Sequence, residues 1–119
     1  MTDFPPLYDE NLLILTSERL QGSWQLTCTR VAAATENPWA EATHLQLEPA
    51  TFCLHGPAAH QGTWQLQRHA QLGQPFLILQ SPDRPEQALV TRFRRSSDGA
   101  IRQMLLYFQS GLELLLTHP

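Results

Sequence analysis

The side chains able to do chemistry are few and scattered. His55 and His60 lie around a Gly56-Pro57 turn, with His44 and His69 on nearby segments. Zinc asks for three or four convergent ligands at defined spacing, and no His-x-x-x-His or Cys pair accompanies these, so no metal site is predicted. A single axial histidine for haem has no signature, and no cofactor is expected. No nucleophile elbow, P-loop or Ser/His/Asp spacing is present. The candidate catalytic groups are Glu113, between Leu112 and Leu114, and Tyr107, which shares a strand face with Gln103. Either would act as one polar group on a bound apolar substrate. Arg92-Phe93-Arg94-Arg95 is the basic cluster: a solvated strand end, or a fork for a carboxylate or phosphate.

Such groups need a scaffold, and the chain allows one domain. It has 119 residues, 42% of them apolar and 16% charged, enough for a packed core without a metal or disulfide staple. All eight cationic residues are Arg, and the net charge is −3, so the basic face of a nucleic-acid binder is missing. No apolar run approaches the ~20 residues of a membrane span. The opening Met1-Thr2-Asp3-Phe4-Pro5-Pro6 is unlike a signal peptide, which points to the cytoplasm. Cys28 shares the phase of Trp24 and Leu26, whereas Cys53 falls between Phe52 and Leu54 and faces the other way. No disulfide is therefore expected between them.

Residues 1–19 read as a short helix or an irregular arm, with Leu12, Leu13 and Leu15 behind Asp9-Glu10-Asn11. Beyond them, residues 20–119 carry the period of two that marks half-buried strands. Trp24, Leu26 and Cys28 alternate with polar neighbours, as do Leu45 and Leu47, then Phe52 and Leu54. Further strands are predicted from Gly62, over Phe76–Leu79, over Ala88–Arg94, over Ile101–Phe108 and over Leu112–Thr117. Residues 31–43 form a loop carrying Trp39. Ser97-Asp98-Gly99 is a hairpin signal, since Asp-Gly suits the positive φ of tight turns. About eight short strands with tight turns and no helical period after residue 20 predict an all-β fold. Its form is an antiparallel up-and-down barrel, which closes its own edges.

One motif recurs. Gly22-Ser23-Trp24-Gln25-Leu26 and Gly62-Thr63-Trp64-Gln65-Leu66 are nearly the same five residues. The glycine permits close approach, and the tryptophan plugs a barrel end. On these paired Gly-x-Trp strands, residues 20–117 resemble the calycin group, in particular the short bacterial lipocalin-like domains. The resemblance implies an apolar cavity that takes a small hydrophobic molecule. It also implies a closed end sealed at Trp24, with an Arg of a late strand, Arg102 or Arg92, packed across that ring. Candidate ligand contacts are Trp39 as a lid at the mouth, with Phe52, Leu54, Phe76, Gln103 and Tyr107. The barrel-closing set is Trp24, Trp64 and Arg102.

Three readings of function follow. The first is a lipocalin-like barrel holding a small hydrophobic molecule. The second is an interaction module with a filled barrel, possible as a homodimer, because Leu112–Leu116 is apolar on both faces and needs cover on both. The third is a barrel isomerase or cyclase using Glu113 or Tyr107. On 101–117 the inner face is either that of Gln103 and Tyr107 or that of Met104, Leu106 and Phe108.

Overall fold

The computed structural model describes residues 6–30, 38–57, 59–82 and 85–118. Residues 1–5, 31–37, 58, 83–84 and 119 lie outside them, so the readings made there are not addressed. Among the described residues nine strands form in chain order: β1 (Leu7–Asp9), β2 (Gly22–Arg30), β3 (His44–Leu47), β4 (Thr51–His55), β5 (His60–Arg68), β6 (Pro75–Gln80), β7 (Pro85–Ser96), β8 (Arg102–Phe108) and β9 (Glu113–His118). From β3 to β9 each strand pairs antiparallel with its predecessor, and β9 returns to β2. The predicted eight-stranded up-and-down barrel is therefore closed, each of its strands pairing with two neighbours.

The ninth strand comes from the arm, where the sequence predicts a short helix or an irregular segment. β6 covers only the first half of β7, pairing up to Leu89, and β1 takes up Arg94–Ser96 on the second half. After a single 3₁₀ turn at Leu12–Ile14, the one-turn helix α1 (Ser17–Leu20) drops Leu20 into the core. Two arginines hold this arm down by its carbonyl oxygens. Arg68 donates to Leu12 O at 2.7 Å and also to Leu15 O, and Arg102 donates to Arg19 O at 2.6 Å. A second departure is α2 (Pro38–Glu41), a helical turn inside the loop expected over 31–43. Proline fits the first helical position, where its missing N–H leaves no bond unmade.

A bulge in β7 decides which of its residues point inward. The register steps from Val90↔Leu106 to Arg92↔Leu105, so Thr91 is an extra residue. Without that step, strict alternation from Ala88 and Val90 would aim Arg92 into the core. With it, Phe93 is buried, and Arg92 emerges to grip Asp9 with two bonds, at 2.7 and 3.1 Å. Arg92 of the basic cluster, read as a fork for a ligand's or partner's carboxylate or phosphate, is thus paired within the chain, with its own arm. Arg19 and Arg95 likewise reach Glu10, at 2.6 and 3.9 Å.

The predicted Asp-Gly hairpin forms between β7 and β8. Asp98 Oδ1 accepts from the Ser96 hydroxyl at 2.6 Å and from the Ala100 N–H at 3.0 Å. Both bonds favour the charged carboxylate, the hydroxyl most, and hold Asp98 below the usual carboxylate range. The Arg92 bond, together with the charges of Arg92 and Arg94, does the same for Asp9. A carboxyl depressed by folding contributes stability above its unfolded value and loses it as pH falls through the folded one. Urea midpoints should therefore be flat from pH 7 to pH 5 and fall below about pH 4. The fall should be smaller in Asp9→Asn and Asp98→Asn, and an equal fall in both variants would show that these contacts are not the source.

Candidate functional site

At one end of the barrel the chain packs around Trp24. Gly22 starts β2 at φ +129°, a conformation open to glycine, and lets the chain turn in from α1. Trp24 then points inward, fully buried, and its indole N–H donates to Leu20 O at 2.8 Å. The Arg102 guanidinium lies 5.2 Å from the Trp24 ring centre, a cation–π contact, and also donates to Gln21 O at 3.4 Å. Of the two arginines considered for this place, the structure puts Arg102 there, while Arg92 is on the outside with Asp9. Burial lowers the pKa of Arg102, and the like charge of Arg19 adds to the effect. Phe93 meets Trp24 edge-on at 6.3 Å, and His118 packs at 5.7 Å while bonding Ser23 O through Nδ1.

Trp64 is buried on the adjoining wall, with its indole N–H on Glu48 O at 2.6 Å beneath the β3–β4 turn. The glycine before it has a different reason from Gly22. A Cβ at Gly62 would stand 1.9 Å from Gln80 O and 2.7 Å from Phe52 Cε1.

At the Phe108 end of β8, opposite Arg102, Trp39 covers the mouth. Its ring lies 5.5 Å from Phe52 and 5.4 Å from Phe108, and all three are buried. Leu54 also points inward and is buried. Trp39, Phe52 and Leu54, expected around a ligand, are thus packed into the core itself. Leu45, Leu77, Val90, Met104, Leu106, Phe108, Leu114 and Leu116 fill the space between the ends. None of these core residues exposes more than 4% of its surface. They form one continuous apolar core among the described residues.

The remaining candidates stand on the outer wall. In β8 the inward set is Met104, Leu106 and Phe108, which places Gln103 and Tyr107 outside. In β6 it is Pro75, Leu77 and Leu79, because Trp64 pairs with Leu79, and Phe76 therefore faces out. Expectation and structure differ at these three residues, since alternation in an apolar run does not reveal its own phase. Glu113 is also outside, accepting from the Thr29 hydroxyl at 2.8 Å, a bond that ties β9 to β2. Arg94 bonds Gln103 Oε1 at 3.1 Å. Leu112, Leu114 and Leu116 are buried, and Leu115 is half-buried on the outside.

Two of the outward candidates do come together. Phe76 pairs with Leu89, which pairs with Tyr107, forming one row across β6, β7 and β8. His69 lies over Phe76 with ring centres 4.7 Å apart. These four, with Gln87 and Gln109 at the rim, line a mainly apolar groove of about 200 Å³. The rim glutamines bond each other, Gln109 Nε2 to Gln87 Oε1 at 3.3 Å.

No family model, curated protein or solved structure matches this chain.

Sequence reasoning missed His69 and Leu89 as members of this row. The signal was present in principle: Leu89 lies out of phase with the buried pair Ala88 and Val90, as Phe76 does with Leu77 and Leu79. Cys28 and Cys53 are free and half-buried, in opposite phases on their strands. Among the described residues no three His, Cys, Asp or Glu side chains converge as metal ligands. Among them, too, no helix is long and apolar enough to cross a membrane.

Proposed function

We propose that this barrel is an interaction module of calycin type that grips an apolar side chain of a partner protein in the groove on its outer wall. The observation that carries this reading is a filled interior beside an outward row of Phe76, Leu89 and Tyr107. Pockets for small molecules commonly run from about 300 to 1,000 Å³. At about 200 Å³ the groove is smaller, and suits one bulky side chain of the kind that anchors protein interfaces. The paired Gly-x-Trp strands and Arg102 across Trp24 support the calycin kinship. Two unpaired thiols support a reducing compartment, and with it the cytoplasm.

A small hydrophobic molecule is the second reading, favoured by the aromatic lining of His69, Phe76 and Tyr107. Here it is a single ring seated outside the barrel rather than a ligand held within. Glu113, bonded to Thr29, has no part in either reading.

Side-chain surrogates test the site directly. Titrating ¹⁵N-labelled protein with p-cresol should shift the amides of Phe76, Leu89, Tyr107 and Gln109, with a dissociation constant in the millimolar range, roughly −4 kcal/mol. Leu89→Asp should abolish the response. Shifts centred on Met104, Leu106 and Phe108 would instead mean that the interior opens, and would overturn the reading.

A further inference from the structure

The outer wall carries two recesses side by side, and strand register sets their spacing. Phe76, Leu89 and Tyr107 make one row across β6, β7 and β8. Two residues along β6, Ile78 pairs with Gln87, whose carbonyl accepts from the Gln109 N–H at 3.4 Å, and these three make a second row. Ile78 is half-buried and points outward, between the inward Leu77 and Leu79. With Gln80, Pro85 and Glu86 it lines a second recess of about 310 Å³. Gln87 and Gln109 border both recesses, so the two adjoin along the wall.

We propose that the partner presents an extended segment, with an aromatic side chain at its first position and an aliphatic one two residues later. The proposal rests on the reading of the groove as a socket for a partner's side chain, and it adds the segment that carries that side chain. Period supports it. Residues of a strand rise about 3.3–3.4 Å each, so the rows of Phe76 and Ile78 stand about 7 Å apart. An extended peptide laid along β6 has the same rise, and its residues i and i+2 point to one side. The first side chain then enters the groove, the third enters the second recess, and the middle one faces water. On a helix, residues i and i+2 do not share a face, so a helical partner cannot fill both recesses in this way.

The lining supports it too. In the groove, His69 stacks 4.7 Å from Phe76 beside Tyr107, and these rings offer an aromatic guest both faces and edges. In the second recess, Ile78 and Pro85 supply apolar surface, while Glu86, in a chain of net −3, disfavours an acidic guest. Between the two, the guest's backbone crosses the bonded glutamines. Their mutual bond uses one N–H of the Gln109 amide and the Gln87 Oε1, which leaves the Gln87 amide N–H groups for a peptide carbonyl and the Gln109 Oε1 for a peptide N–H. Pockets for alternate side chains flanking polar groups for the main chain are the means by which extended peptides are read. Two recesses of this size suit a short linear segment, bound weakly and reversibly, better than a folded domain.

Two tripeptides of one composition, titrated into the full ¹⁵N-labelled chain, test the proposal. In acetyl-Tyr-Ser-Leu-amide the apolar residues stand two apart, and in acetyl-Tyr-Leu-Ser-amide they are adjacent. The first should bind about tenfold more tightly, the effect of partly burying one leucine. It should shift the amides of Ile78, Gln80 and Glu86 together with those of Phe76, Leu89 and Tyr107. In Ile78→Asp, whose amide spectrum reports its folding, the two peptides should bind alike. Equal affinities for the native chain, or shifts confined to Phe76, Leu89 and Tyr107, would overturn the extended segment, and a p-cresol response beside them would leave the groove standing. No response to p-cresol or to either peptide would remove both.

Discussion

Gly62→Ala should lower stability by about 3 kcal/mol, a large change for the smallest possible added side chain. The new methyl would stand 1.9 Å from the Gln80 carbonyl oxygen, which belongs to the facing strand β6, and 2.7 Å from Phe52. Trp39 lies against Phe52 at 5.5 Å and blocks the retreat of its ring on that side. Relief therefore requires β5 and β6 to part at Thr63↔Gln80, the last pair of their ladder. In a barrel, strands that part on one side strain every pairing around the circle. For a chain of this size, about 3 kcal/mol corresponds to a fall of roughly 10 °C in melting temperature. Urea unfolding of the variant measures it, and a loss under 1 kcal/mol would show that the strands give way easily. Gly22→Ala is the informative contrast. Its Cβ has room, 3.4 Å from Arg102 Nη2, so the penalty there is the positive φ alone.

Trp24→Ala should be costlier, at about 3–5 kcal/mol, the usual range for deleting a buried aromatic. Three losses combine. The cavity lies where Phe93, His118 and Arg102 all pack on one ring. The Leu20 carbonyl loses the indole donor that holds α1 to the barrel. Arg102, already burdened by burial, loses the aromatic face that stabilises its charge. Small domains are stable by only about 5–15 kcal/mol, so this one change removes a large share. Trp24→Phe should recover most of the packing while still leaving Leu20 O without its partner, and should cost about 1–3 kcal/mol. Thermal melts of both variants give the ordering, and a Phe variant as unstable as the Ala variant would make the indole N–H the main contributor.

Much of the fold was legible because a half-buried strand writes its inner face into every second residue. Trp24, Leu45 and Leu47, and Phe52 and Leu54 alternate with polar neighbours, and all five are buried. The Asp98-Gly99 turn was equally plain. Legibility failed where both faces are apolar. Over 101–108, Gln103, Leu105 and Tyr107 compete with Met104, Leu106 and Phe108, and over 76–79 every residue is apolar. The phase in such runs comes from the neighbour, here Leu79 opposite Trp64 and Met104 opposite Phe93. The short arm strand was hidden for another reason. Leu7–Asp9 has no strand pattern of its own and becomes a strand because β7 outruns β6 and offers it an edge.

The candidate site divides along the same line. The inward phase of Trp24 was legible in the sequence, since it alternates with polar neighbours along its strand. The choice of Arg102 over Arg92 was not, because it turned on one extra residue, Thr91, that shifts a ladder by one place. The groove was further out of reach. Its residues come from positions 69 to 109 and meet only when β6, β7 and β8 lie side by side. Alternating hydrophobicity and turn chemistry act between near neighbours in the chain, and they determined that this protein is a closed antiparallel barrel. Which side chains from eight strands meet in one core, and which share a row on the outer wall, depends on strand register across the barrel, and only the tertiary structure decided it.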